Sequence, residues 1–228
     1  MKPVRLAGTV SLLVALLAAA RSAGAQTWAE RLASARLEAS PELVALADSP
    51  SSPENLMEAA LYFSGADAAR ARELRRLLEP TRAEARAMAE NGGEHYARGE
   101  AILTLIHDRF LKRYVELETG LDLAVIDGRY NCVSSAALYL IVAAEAGLDA
   151  LGIVVPDHSL AALRLPDGRL IDVETTNRHG FDPGSKKEFL DSFGKTTGYA
   201  YVAPSEYARR TEENARFIIG LIAWNRAT

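Results

Sequence analysis

Residues 131–148 read NCVSSAALYLIVAAEAGL, residues 154–163 read VVPDHSLAAL, and residues 165–176 read LPDGRLIDVETT. In the first stretch Val133, Ala136, Ala137, Leu140, Ile141 and Ala144 recur at helical spacing, which predicts a helix over 132–145. That helix is apolar nearly all round, so it belongs at the centre of a fold rather than on its surface. Asn131 is placed as its N-cap, and Ala146-Gly147 closes it. Residues 151–156 form a short apolar run that predicts a strand. Residues 158–165 and 169–175 flank Pro166-Asp167-Gly168, a strong hairpin signal. A central helix followed by a small antiparallel sheet makes the fold class α+β.

The same stretches carry the chemistry. Cys132 is the only cysteine of the chain. By base rate a lone thiol is a small buried hydrophobe. Here it falls on the first turn of the helix, where the macrodipole favours a thiolate and free N–H groups can bind a developing oxyanion. His158 opens the next strand but one, and an imidazole of near-neutral pKa suits a base for that thiol. Asp172 and Glu174 lie two apart on the following strand and so share a face. A tight Pro-Asp-Gly turn sets residues near 160 or 161 opposite Glu174 and residues near 162 or 163 opposite Asp172. Glu174 is therefore expected to orient His158, with Asp172 as the alternative acid. The sulfur of Cys132 should then lie near the His158 ring, with the acid on the far side.

Taken together, residues 131–176 resemble the core of the transglutaminase-like superfamily of papain-like cysteine enzymes. Laid on that pattern without a gap, the family histidine falls on His158, the Leu-Pro turn on Leu165-Pro166, the aspartate on Glu174 and the threonine on Thr176. A small shift gives Asp172 instead. Ser159 and Leu160 stand where many members have Ala-Trp, and Glu-Thr-Thr replaces Asp-Pro-Thr. The likeness spans roughly residues 95–180, and GFDPGSKKEF with TGYAYV is similar to an extension in bacterial members of the superfamily. The resemblance implies attack of Cys132 on an amide or related acyl carbon, with a thioester that water or an amine resolves. It also implies a side-chain oxyanion donor upstream of the cysteine, Tyr130 or Asn131. His179, in the loop after the acid strand, is a candidate substrate contact. The expected partner is a peptide or protein amide. The competing readings are an inactive binding or scaffold module in the cell envelope and a zinc site of Cys132, His158 and a carboxylate. No Cys-x-x-Cys or His-x-x-x-His pair exists, so neither a metal nor a cofactor is expected.

Outside this core the chain is organised as 1–25, a signal peptide; 26–93, a helical region; 94–204, the core; and 205–228, a C-terminal helix. Lys2 and Arg5 precede the apolar run LAGTVSLLVALLAAA, and Ala23 and Ala25 suit a cleavage site. The run is shorter than the roughly 20 residues of a spanning helix. The protein is thus expected to be exported, periplasmic or secreted, with no stable membrane span after cleavage. A net charge of -4 gives no basic footprint for nucleic acid. Further helices are expected over 28–39, 55–64, 66–91 and 94–114, with Pro80 breaking or kinking the third of them. His95 and His107 are assigned structural or surface roles. Residues 121–130 read as a polar loop, 188–193 as a short helix and 199–202 as a strand. A last helix capped by Ser205 or Thr211 runs to about residue 225.

Overall fold

Central burial of one apolar helix organises the chain. The computed structural model describes residues 49–227 except 185, 204, 205, 207 and 208, together with Pro41, Ala45 and Leu46. The expected signal peptide and the helix over 28–39 lie outside the described residues. The order is α1 (Pro53–Ser64), α2 (Ala68–Glu90), α3 (His95–Arg109), β1 (Arg113–Tyr114), α4 (Leu121–Ile126), β2 (Arg129–Tyr130) and α5 (Cys132–Glu145). Then come β3 (Asp149–Val155), β4 (His158–Arg164), β5 (Leu170–Val173), α6 (Lys187–Thr197), β6 (Thr211–Glu213) and α7 (Ala215–Ala227). The fold is mixed α+β. The larger sheet has the order β5-β4-β3-β6 and is antiparallel throughout; β1 and β2 form a separate parallel pair.

Every residue of α5 from Val133 to Ala143 is buried. The helix touches β3 and β4 and also α1, α2, α3, α4 and α7. Each fully buried Leu or Ile side chain contributes roughly 1.5–3 kcal/mol, so this single helix is the largest source of apolar stabilisation in the core. Leu56, Met57, Leu74 and Leu78 share one apolar cluster with it. The helices before residue 94 therefore pack into the same core as those after it. A polar clamp ties α1, α2 and α5 together: Arg82 donates to Glu54 and Glu145, and Arg86 donates to Glu145 at 3.2 Å.

Several elements differ from the sequence expectation. Helix α2 runs through Pro80 without a break. Arg76, whose carbonyl loses its partner at the proline, is solvent-exposed, so water can satisfy that group. Helix α3 stops at Arg109, because Lys112 and Arg113 donate to the Gly128 carbonyl and lead the chain into β1. The expected loop over 121–130 contains α4, with Leu121, Ala124 and Val125 buried and Asp122 held by Arg70 at 2.6 Å. Six residues are too few to show a period. The expected strand over 199–202 is absent, and β6 instead takes residues 211–213 along β3. That capture delays the last helix to Ala215. Among the described residues no helix is long and apolar enough to cross a membrane.

The start of α5 is fixed by a reciprocal cap. Asn131 Oδ1 accepts from the N–H groups of Val133 at 3.0 Å and Ser134 at 3.1 Å, while Ser134 Oγ accepts from Asn131 N–H at 3.0 Å. Asn131 Nδ2 also donates to the Glu116 carbonyl. Asn131→Ala is expected to lower the unfolding free energy by about 1–2 kcal/mol in urea denaturation, and Asn131→Asp by less, since the acceptor survives.

Candidate functional site

Cys132 is the first residue of α5 and His158 the first residue of β4. The β3–β4 turn is two residues long, with Val155 opposite His158. Strand β5 pairs back with Asp172 opposite Ala162 and Val173 opposite Ala161, within the register that the Pro-Asp-Gly turn predicts. His158, Leu160, Ala162 and Asp172 thus share one face, and Glu174 continues it one step past the end of β5.

The structure brings Cys132, His158 and Glu174 together. His158 Nε2 lies 2.7 Å from Glu174 Oε2. This leaves Nδ1 for Cys132, whose thiol is hydrogen-bonded to the ring. Glu174 is 1% exposed. Its other oxygen, Oε1, accepts from the Thr176 hydroxyl at 2.6 Å and the Thr176 N–H at 3.2 Å. Cys132 is partly exposed.

The electrostatics follow from these contacts. Burial opposes charge on Cys132, but the His158 hydrogen bond and charge, with the hydroxyl and N–H of Ser159, outweigh it and lower the thiol pKa. Burial also opposes the imidazolium. The Glu174 charge and the Cys132 contact outweigh that in turn and hold His158 well above its ordinary range. For Glu174 burial is again the largest single influence, and His158 and Thr176 reverse it, keeping the carboxyl ionised. All three directions favour a thiolate–imidazolium–carboxylate row.

Asp172, the alternative acid, is committed elsewhere. Arg210 donates to both its oxygens, at 2.6 and 3.4 Å. Among the two carboxylates only Glu174 reaches the imidazole.

A second layer pins the strand end that carries Glu174. Tyr130 donates its hydroxyl to the Thr176 carbonyl at 3.0 Å, and His107 Nε2 lies 3.0 Å from the Thr175 carbonyl. Thr175 Oγ1 and Ser135 Oγ are 2.9 Å apart, and Ser135 donates to the Cys132 carbonyl. Burial is the chief reason the His107 pKa falls to about 4, so that ring is neutral. Gly180 closes the loop: a Cβ there would stand 2.0 Å from the Glu174 carbonyl oxygen, so only glycine fits without displacing the acid.

The three groups line a cleft of about 650 Å³. Its other walls are Tyr114, Leu160, Phe193, Tyr199 and Tyr201, with Glu116 and Asp157 as further acidic members. No lysine or arginine is among its described lining residues. The remaining candidates from sequence are disposed differently. Tyr130 is buried with its hydroxyl engaged by Thr176, and the Asn131 side chain is engaged in the cap. His179 lines a separate groove with Asp108 and Arg178. Among the described residues no group of three His, Cys, Asp or Glu side chains could hold a metal ion.

Tyr114 was not among the residues singled out from sequence. It pairs with Tyr130 through β1 and β2, lines the cleft, and has a hydroxyl without a hydrogen-bond partner among the described residues. Burial first, then the nearby charge of Cys132, raises its pKa and keeps that hydroxyl protonated. Nothing in the sequence distinguishes this Arg-Tyr pair from the one at 129–130. No family model matches this chain, and no curated protein or solved structure compared with it matches either.

The His158–Glu174 contact gives stability a definite pH window. Glu174 contributes above the ordinary carboxylate pKa of about 4.3, and that is lost as pH falls through its lowered value. His158 contributes fully below the ordinary imidazole pKa of about 6.5, and that is lost as pH rises through its raised value. Glu174→Gln should therefore cost about 3 kcal/mol between those limits and progressively less outside them. Denaturation across pH checks this; a deficit independent of pH would contradict it.

Proposed function

We propose that the protein is a transglutaminase-like, cysteine-dependent amide hydrolase or acyl transferase acting on peptide or protein substrates. The observation that carries this reading is the row Cys132–His158–Glu174, with the sulfur at a helix N-terminus and the acid buried. The geometry suits covalent catalysis. The Cys132 thiolate attacks the acyl carbon and the carbonyl π electrons move to oxygen. The imidazolium of His158 gives its Nδ1 proton to the leaving amine as the C–N bond breaks, leaving a thioester. His158 then takes a proton from water or from an amine as that nucleophile attacks, and the thiolate leaves. Glu174 stays ionised and holds the imidazole in orientation throughout.

The oxyanion needs donors that are not already used. Val133 and Ser134 N–H groups are taken by the Asn131 cap, whereas the Cys132 N–H has no acceptor among the described residues. Cys132 N–H and the Tyr114 hydroxyl are the pair that this reading assigns to the oxyanion. The cleft walls are aromatic and carry acidic neighbours but no lysine or arginine among the described lining residues, which fits an apolar peptide segment that is neutral or cationic and disfavours an anionic one. Export to the periplasm or the medium belongs to the same proposal and rests on the N-terminal 25 residues.

Two experiments test it. Iodoacetamide near neutral pH should label Cys132 at least tenfold faster than a model peptide thiol, and Cys132→Ala should abolish amide turnover while leaving the melting temperature in place. A thiol no faster than the peptide defeats the reading. Tyr114→Phe should reduce kcat about 100-fold with little change in that labelling rate, the cost of losing one oxyanion donor. An unchanged kcat would remove Tyr114 from the mechanism.

A further inference from the structure

Ser159 carries a hydroxyl that the protein has buried and left without an ordinary partner. The residue is 2% exposed, and Oγ has no hydrogen bond of normal geometry. Leaving such a group unsatisfied costs roughly 1–3 kcal/mol. Its position is set by strand alternation. Ala161 and Leu163 belong to the apolar cluster around α5, whereas Leu160 and Ala162 belong to a separate cluster with Leu151, Ile153 and Val155. Ser159 has the parity of Ala161 and Leu163, so it faces α5, whose first residue is Cys132. His158 has the opposite parity and reaches the sulfur from the strand end.

The backbone of Ser159 is free for the same task. A two-residue turn makes Val155 and His158 the hydrogen-bonded pair, so the N–H of Ser159 points away from β3. On that side β5 pairs only as far as Ala161 with Val173. No strand carbonyl covers Ser159, and both its hydroxyl and its N–H approach the Cys132 sulfur instead.

We propose that Ser159 is a positioning residue whose buried hydroxyl, without another partner among the described residues, holds Cys132 as a thiolate. This rests on the cysteine-nucleophile reading above. With a neutral thiol, the Ser159 hydroxyl faces a weak acceptor. When the proton moves from sulfur to His158 Nδ1, the S–H bond is exchanged for an N–H bond. The sulfur then accepts from the hydroxyl of Ser159, its N–H and the imidazolium. The donor is satisfied only in the charged state, so it biases the proton toward His158. Besides His158, the titratable groups around Cys132 are Tyr114 and Tyr199, with Glu116 hydrogen-bonded to Tyr199, Asp157 in the same cleft and Glu174 on the far side of the imidazole. The tyrosines stay neutral, and the carboxylates oppose the thiolate. A hydrogen-bond donor here favours the thiolate without adding charge, alongside the N-terminus of α5.

The test is the pH dependence of iodoacetamide alkylation of Cys132 in the full chain. Ser159→Ala should move the acid limb upward by about one pH unit, the effect of one hydrogen bond to a charged group. Ser159→Thr should keep the wild-type limb. The melting temperature of Ser159→Ala should equal or exceed wild type below that limb, where the hydroxyl has no strong acceptor; a merely structural serine would lower it at every pH. The near-isosteric pair Ser159→Thr and Ser159→Val repeats the comparison if the alanine variant does not fold. Superimposed limbs for Ser159→Ala and wild type overturn the proposal and leave the nucleophile reading standing. A wild-type thiol that itself titrates near the ordinary value of about 8.5 overturns both.

Discussion

A carboxylate that is almost wholly removed from water is the constraint on which the site depends. Burying Glu174 uncompensated would cost several kcal/mol, and the fold answers with directed partners on both oxygens: His158 on Oε2, Thr176 on Oε1. Those partners are themselves held. Tyr130 fixes the Thr176 carbonyl, His107 the Thr175 carbonyl, and Ser135 links Thr175 to the first turn of α5. The chain end of β5 is thus nailed to the helix that carries Cys132 by contacts that involve neither the sulfur nor the imidazole. Preorganisation of this kind would keep the groups of the proposed site in place without a conformational search.

The cap at Asn131 divides the labour at the helix start. Its side chain satisfies the N–H groups of Val133 and Ser134, which stabilises α5 but withdraws both from any ligand. The Cys132 N–H is what remains. A site built on a helix N-terminus commonly has several free amides to offer an anion; here the cap spends two of them on stability. In the proposed mechanism the second oxyanion donor therefore comes from another element: the parallel β1–β2 pair sets the Tyr114 hydroxyl, unpartnered among the described residues, in the same cleft.

Much of the centre was legible in the sequence because it obeys local rules. The helix over 132–145 follows from periodicity, and the choice of Glu174 over Asp172 follows from the turn register. Arg210, which occupies Asp172, lies 38 residues away, and no local signal links the two. Chain proximity to Cys132, which suggests Tyr130 or Asn131 as an oxyanion donor, likewise says nothing about whether a polar group is already engaged: the Tyr130 hydroxyl donates to the Thr176 carbonyl and Asn131 Nδ2 to the Glu116 carbonyl. Residues 199–202 have the composition of a strand, yet they line the cleft, and the free edge of β3 is taken by the more polar residues 211–213. Edge pairing is decided by tertiary geometry, not by β propensity.

Charge balance explains why the row needs help beyond its three members. A thiolate, an imidazolium and a carboxylate sum to minus one, and Glu116 and Asp157 add acidic charge to the same cleft without a lysine or arginine among its described lining residues. Burial opposes the charge on both Cys132 and His158, and the acidic neighbours oppose the thiolate. The charges of His158 and Glu174 act the other way, and the N-terminus of α5 with the hydroxyl and N–H of Ser159 adds neutral support. Such dipoles gain strength where water is scarce and add no counter-charge that could trap an anionic ligand. In the proposed site the hydroxyl and N–H of Ser159 add to the His158 contact and support the thiolate without a second fixed cation beside it.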